Sequence, residues 1–357
     1  FVRAVHPAVM LFLHPLVWLI SLPLNGDRLQ AAFMLNAMAG AGCVLLTWVI
    51  VKRISNTTFA LVMASLLGAS TSHLLLGSIL ETYIFSSLAL IAFVLLLQAD
   101  RTSLKSTVPV GILIFGITIT NLAQACILYF LKLPRPRLII TFVLAVVASA
   151  LVLNVVQVGV FPSAQPLYNP DSLTVEKNYR FRLFDAPWRF TGRINLISRA
   201  ILLYGVVAPE PFVLTQELGT DLPNFRTFKI TTGRLNVAGY KGVGDAAVKT
   251  WTAILAVAVT LALMNFRKSP KQEILSLGLV LCLGFSFILH TLYGDDPMLY
   301  SPNWVYALLL FVAFSFRKWA DNRWLQAVFV VFLGMVIYNN LELIHQIMTV
   351  SLPFYGR

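Results

Sequence analysis

The run Val108–Leu131, VPVGILIFGITITNLAQACILYFL, decides how this chain folds. At a rise of about 1.5 Å per residue it is long enough to cross a bilayer once. Yet Arg101 and Lys105 precede it and Lys132, Arg135 and Arg137 follow it, and short basic loops are retained on the cytoplasmic side. One straight crossing would separate the two clusters. A helical hairpin over 108–131, turning at Thr118-Ile119-Thr120-Asn121, keeps both ends inside. Each arm of about 12 residues spans only about 18 Å, so the polar tip must sit in protein or in a water-filled cavity.

Apolar runs of spanning length lie on either side: Leu29 to Val51, Thr58 to Leu80, Leu138 to Val160, Val248 to Phe266, Glu273 to Leu292 and Trp324 to His345, with shorter ones at Thr82 to Gln98 and Ser301 to Phe316. The pairs and triplets Lys52-Arg53, Arg101 with Lys105, Lys132 with Arg135 and Arg137, Arg267-Lys268 with Lys271, and Arg317-Lys318 with Arg323 hold thirteen of the 27 basic residues. With the hairpin in place all five fall on one side. The other side then receives the first 28 residues, the turn at Glu81, the loop Phe161–Ala247, the segment Gly294 to Pro297 and the carboxyl end. Ala8 to Leu24, interrupted by His14, Pro15 and Pro23, reads as an interfacial helix on that outer side, a full span being the alternative.

The expected fold is therefore an all-α integral membrane protein of about ten transmembrane or re-entrant helices, an outer interfacial helix (8–24) and one long extracytoplasmic loop. Three regions follow: a membrane module over 1–160, the loop over 161–247, and carboxyl-terminal membrane helices over 248–357. Composition agrees. Of 357 residues 58% are hydrophobic and 12% charged, the mean hydropathy is +0.79, and a soluble domain carries about 25% charged residues. The net charge of +12 does not point to nucleic acid, because the basic residues punctuate the apolar runs. Cys43, Cys126 and Cys282 all lie within such runs and form neither a disulfide framework nor a metal-binding spacing. No signal peptide can be read from a sequence opening at Phe1, and the chain reads as the interior of a longer one.

In the long loop, Trp188, Phe190, Ile194, Leu196, Ile197, Ile201 and Leu202 interleave with Arg189, Arg193 and Arg199 at helical spacing. This is an amphipathic helix suited to the headgroup layer, its arginines either gripping lipid phosphate or snorkelling toward headgroups. The tail of the loop, with Gly233, Gly239, Gly242 and Gly244, reads as irregular.

The order Arg3-Ala4-Val5-His6-Pro7-Ala8, an amphipathic stretch, a span ending in Lys52-Arg53, the outer turn Gly77-Ser78-Ile79-Leu80-Glu81-Thr82-Tyr83, and the Gly111 to Asn121 hairpin resembles the polytopic glycosyltransferases of the C superfamily (GT-C). Protein O-mannosyltransferases and lipid A aminoarabinose transferases are its better-known members. The resemblance covers about residues 1–160 and the late turn Tyr293–Tyr300. It implies transfer of a sugar from a polyprenyl-phosphate carrier to a glycan, lipid or protein acceptor at the extracytoplasmic face of a bacterial inner (plasma) membrane, with membrane lipid as the other partner. Where the family often carries Thr-Lys at the hairpin tip, this chain has Thr120-Asn121. The family's acceptor-activating carboxylate belongs to an outer loop before the His-Pro segment, upstream of Phe1.

Such chemistry needs a carboxylate to take the hydroxyl proton and cations or dipoles to hold the leaving phosphate. Glu81, Asp295 and Asp296 are the catalytic candidates. Glu81 either contacts acceptor, sugar or metal, or simply serves the dipole of the helix starting at Thr82. The acidic pair either holds a divalent cation, the one cofactor considered, or forms a solvated turn before Pro297. Substrate-binding candidates are Arg3 as a phosphate clamp, His6 and His73 as phosphate ligands or proton relays, Arg189 on the loop, Asn121 at the hairpin tip, and Tyr300 and Asn303 beside the acidic pair. Asn121, Gln124 and Asn154 also read as interhelical hydrogen bonders, and each histidine as a packing residue. No Walker loop, dinucleotide fingerprint, haem-binding Cys pair or His-Glu-Xaa-Xaa-His occurs. A carrier or flippase for a lipid-linked substrate, and a non-catalytic subunit docking through the long loop, are the alternatives; the near absence of charge within the spans, Glu342 excepted, argues against proton coupling.

Overall fold

The computed structural model describes residues 3–214 and 223–354. In chain order the helices are α1 (Val9–Ser21), α2 (Arg28–Lys52), α3 (Thr57–Ala69), α4 (Thr71–Leu76), α5 (Tyr83–Gln98), α6 (Leu104–Ile117), α7 (Leu122–Lys132), α8 (Pro136–Val160), α9 (Pro170–Thr174), α10 (Pro187–Arg199), α11 (Gly242–Lys268), α12 (Ile274–Leu292), α13 (Pro302–Phe316) and α14 (Arg323–Ser351). The starts have local causes. Asp27 and Asn56 accept the amides of Gln30 and Phe59 at 2.9 and 2.8 Å, Asn322 accepts from Trp324 and Leu325, and prolines open α8, α10 and α13.

Among the described residues five helices are long and apolar enough to cross a membrane: Arg28–Lys52, Pro136–Val160, Gly242–Lys268, Pro270–Leu292 and Arg323–Phe354. All five expose part of their apolar surface, as lipid-facing helices must. The short apolar helices behave differently. Every residue of α13 is buried, and α5 buries Ile84, Leu90, Ile91, Phe93, Val94 and Leu97. A helix apolar all round is one enclosed by others, and α13 packs against α11, α12, α5 and α3. α5 is enclosed in turn by α2, α6, α7 and α13. α1 continues through Pro15 and leaves Leu16, Trp18 and Leu19 about half exposed.

The five basic connections gather at one end of the bundle. Asn56 Nδ2 reaches Asp321 Oδ1 at 2.7 Å, tying the connection after α2 to the one after α13. Gln98 donates to the carbonyl of Ile50 at 3.0 Å. Arg317 pairs with buried Glu273 at 2.5 Å. Lys132 lies 2.7 Å from Asp100 and Tyr129 donates to the carbonyl of Thr102 at 2.7 Å, so α7 returns to the end from which α6 set out. The chain reverses at Thr118, where the backbone becomes extended, followed by a single 3-10 turn over Ile119–Asn121.

The region beyond α8 folds onto the opposite end, and here the structure departs from the reading of an all-α chain with an irregular loop tail. Strands β1 (Phe212–Leu214) and β2 (Asn224–Arg226) pair antiparallel, as do β3 (Phe228–Thr231) and β4 (Arg234–Val237). The second hairpin turns through Thr232 and Gly233, both at positive φ (48° and 69°), the two-residue turn that matches strand twist. Glycine supplied the turn, not disorder. α10 forms where the amphipathic pattern places it, but it lays Leu196, Ile197 and Arg193 inward, packing against β4 and α12. α11 begins at Gly242, taking in residues assigned above to the loop.

Breaks in the helices are closed by buried amides. At the α3–α4 junction Asn340 donates to the carbonyls of Ala69 (2.8 Å) and Val206 (2.9 Å) and accepts from the amide of Ala208 (2.8 Å). Asn340→Ala is expected to lower the unfolding free energy by about 2–4 kcal/mol, since three buried backbone groups lose a partner; denaturant titration in detergent reads this, and a loss under about 0.5 kcal/mol would show the clamp to be dispensable.

Candidate functional site

The segment before α1 is held between α8 and the tip of the α6–α7 hairpin. Asn154 donates to the carbonyl of Pro7 at 2.9 Å and Gln157 to that of His6 at 3.1 Å. The amide of Ala8 donates to Gly116 and that of Ile119 to Val5, at 2.9 and 3.2 Å. His6 Nδ1 lies 2.5 Å from the carbonyl of Ile117; burial holds its pKa below the ordinary range, with the positive charge of Arg3 acting in the same direction.

This fixed backbone aims Arg3 at the long loop. Its Nε donates to Glu176 at 2.9 Å, its Nη2 to the Tyr293 hydroxyl at 3.1 Å, and its guanidinium lies 4.2 Å from the centre of the Tyr179 ring. Tyr293 also donates to Glu176. Arg3 is thus paired and not a free clamp. Beneath it, Tyr83 packs edge-on against Tyr300 (5.2 Å) and His6 (6.1 Å), and His290 stacks on Tyr300 (4.7 Å). Gly294, at φ 93°, passes so close to Tyr300 that an added Cβ would lie 2.6 Å from its ring, which fixes the residue type there.

Arg193, considered above for phosphate or headgroup contact, is 1% exposed. It donates to the carbonyls of His290 (2.6 Å), Tyr293 (3.2 Å) and Gly294 (2.6 Å) and lies over the Phe181 ring. Its guanidinium closes the carboxyl end of α12, where free carbonyls and the dipole both favour a cation, and burial draws its pKa down to about 10.

Of the candidate carboxylates, Glu81 stands half-buried in the α4–α5 turn with no ion pair among the described residues. Burial raises its pKa, against the pull of the Thr82 amide. It shares the electrostatic surroundings of Tyr83 with Arg3, Tyr293 and Tyr300. Asp296 accepts the amide of Met298 at 2.9 Å as a helix cap, and burial raises its pKa too. Asp295 is exposed. Among the described residues no three His, Cys, Asp or Glu side chains gather as a metal site.

The remaining candidates lie apart. Asn121 and Asn303, both buried, bond to each other at 2.8 Å, with Gln124 donating to Asn121 and to the Asn303 carbonyl. His73 is buried beside Ser70 and Ser87, 3.3 Å from the latter's hydroxyl. Arg189 pairs with Asp185 at 3.4 Å on α10. Arg3, His6 and Tyr300 therefore come together with Glu81 nearby, whereas His73 and Arg189 do not join them. Glu176 and Tyr179 were not singled out in the sequence; nothing local marks them, because the fold-back of the loop creates their role.

A lateral crevice of about 900 Å³ opens between α11 and α12, floored by Leu308 and Phe311 of α13 and lined by Ile201, Leu255, Leu283 and Phe287. A second hollow of about 330 Å³ continues it past Val259 and Val280 toward Glu273. Arg199 stands at its outer part.

Arg3→Ala leaves the carboxylate of Glu176 with only the Tyr293 hydroxyl and is expected to cost about 1.5–3 kcal/mol, the range for hydrogen bonds to charged groups. A double-mutant cycle with Glu176→Gln should return a coupling of at least about 1 kcal/mol, and additive losses would mean that the pair does not hold the loop. No protein-family model matches the chain, nor does any curated protein or solved structure.

Proposed function

We propose that this protein is an integral membrane glycosyltransferase that moves a sugar from a polyprenyl-phosphate carrier to an acceptor hydroxyl at the extracytoplasmic face. The observation that carries the reading is that the short basic connections gather at one end, the long loop being exempt from the positive-inside bias. The basic connections after α2, α5, α7, α11 and α13 share one end. Arg3, His6, Tyr293, Tyr300 and the half-buried Glu81 share the other. The positive-inside rule puts the first end in the cytoplasm, which leaves the ionisable cluster where a lipid headgroup and an aqueous acceptor meet. α3 with α4, α5, α13 and the α6–α7 hairpin then complete the membrane part as short crossings or a re-entrant pair.

The chemistry assigns roles to the chain's own groups. The bond between the anomeric carbon and the carrier phosphate breaks, and a bond from the acceptor oxygen to that carbon forms. Glu81, without an ion pair among the described residues and made more basic by burial, accepts the acceptor's proton. The carrier phosphate departs with the bonding electrons, and Arg3 with the Tyr293 and Tyr300 hydroxyls offers donors for it once Glu176 yields. The apolar crevice between α11 and α12, with Arg199 at its outer part, suits the hydrocarbon of such a carrier.

Purified protein in bilayer nanodiscs, supplied with short-chain polyprenyl-phosphate hexoses, should release polyprenyl phosphate. Glu81→Gln should lower kcat by about 10²-fold or more. The raised pKa of Glu81 places the acidic limb of the wild-type profile above the ordinary glutamate value of about 4.3: activity is full where Glu81 is ionised and falls as pH drops through that limb. Equal turnover by wild type and Glu81→Gln removes Glu81 from the reaction, and no release from any donor overturns the reading.

A further inference from the structure

At the same end as the ionisable cluster, but between α11 and α14, a second cleft of about 700 Å³ carries no role in the transfer just described. Its walls are the segment Ala208–Pro211, the start of α11, and the outer half of α14. They are rigidly set. Asn339 donates to the carbonyl of Ala208 at 2.9 Å, Tyr240 to that of Val207 at 3.2 Å, and the amide of Glu210 to that of Gly239 at 2.9 Å. At Gly244, α11 approaches α14 so closely that a Cβ would meet the Asn339 side chain at 2.3 Å.

The polar groups facing this cleft define what it can hold. Glu210 and Lys241 pair with each other at 2.6 Å, which leaves Glu342 as the carboxylate without an ion pair or hydrogen bond among the described residues. Tyr338 and Gln346, each four residues from it on either side, likewise have no hydrogen-bond partner among them. No guanidinium lines the walls and the Lys241 ammonium is already paired with Glu210, which disfavours a phosphate or carboxylate ligand. A lone carboxylate is too few ligands for a divalent cation. What remains is a carboxylate acceptor, a primary amide able to donate and accept, and two tyrosine rings with apolar faces and polar tips.

We propose that this cleft binds a neutral, hydroxyl-rich ligand of mono- or disaccharide size, its hydroxyls donating to Glu342 and exchanging hydrogen bonds with Gln346, its C–H face lying on Tyr338. The volume falls within the range of small-molecule sites, about 300–1,000 Å³. The cleft shares no residue with the Arg3–Tyr293 cluster, so this assignment and the transferase reading stand or fall separately.

The test uses the whole protein in an alkyl polyoxyethylene detergent, which has no sugar headgroup, titrated with the methyl glycosides of glucose, galactose, mannose and N-acetylglucosamine and followed by saturation-transfer NMR. Saturable binding of at least one glycoside is expected, with Glu342→Gln and Tyr338→Ala each weakening it about tenfold or more, the equivalent of about 1.4 kcal/mol. Both side chains are solvent-exposed, and unchanged thermal unfolding of the variants controls for folding. Binding seen only when the sugar is carried on a diacylglycerol in nanodiscs, and lost in the same variants, assigns the ligand as a lipid headgroup. Absence of binding in both formats, or binding that the two substitutions leave intact, overturns the proposal.

Discussion

Backbone that breaks inside an apolar bundle has no water to turn to, and each unpaired carbonyl or amide there costs several kcal/mol. The architecture rests on how this chain meets that constraint. Asn36 donates to the carbonyls of Leu76 and Ile79, closing the end of α4. Asn340 closes the α3–α4 junction. Asn154 and Gln157 fix the segment before α1, and Arg193 closes the end of α12. Each clamp joins elements far apart in sequence, so satisfying the backbone also sets the tertiary arrangement. The helix interruptions are tolerated because buried amides cover them.

Those interruptions concentrate at one end, and that is where chemistry-bearing side chains accumulate. At the basic end the ionic contacts join one short connection to another: Lys132 with Asp100, Arg317 with Glu273. At the other end Arg3 reaches across the chain to Glu176 and Tyr293, and an aromatic group of Tyr83, Tyr300 and His290 fills the space below. The long region between α8 and α11 brings the Glu176 carboxylate onto Arg3, 173 residues away.

Much of this could be read in the sequence. Apolar runs and the basic residues between them mark the helices and their ends, because burial in lipid demands both length and the absence of charge. The break at Thr118 has a visible cause in four consecutive residues holding three polar side chains between two apolar arms. What could not be read depends on tertiary contact. The expected count of about ten crossing or re-entrant helices rests on runs such as Ser301 to Phe316, whose all-round apolarity reflects enclosure by other helices and carries no signal of how it meets lipid. The amphipathic pattern at Trp188 to Leu202 identifies a helix, but not that its buried face meets α12 and a β-hairpin. Arginine spacing identified Arg193 as a cation near the surface; only the fold shows three carbonyls consuming it.

The proposed transfer reaction requires that a bilayer separate the two ends. That separation is tested directly by single cysteines at Thr58, Ser78, Asp295 and Asp321, all exposed, in a background with Cys43, Cys126 and Cys282 replaced by alanine, probed with a membrane-impermeant maleimide in oriented vesicles. Thr58→Cys and Asp321→Cys should react only from the cytoplasmic side, and Ser78→Cys and Asp295→Cys only from the other. Labelling of Thr58→Cys and Asp321→Cys from opposite sides would contradict the shared basic end, and with it the placement of Glu81 and Arg3 at one interface.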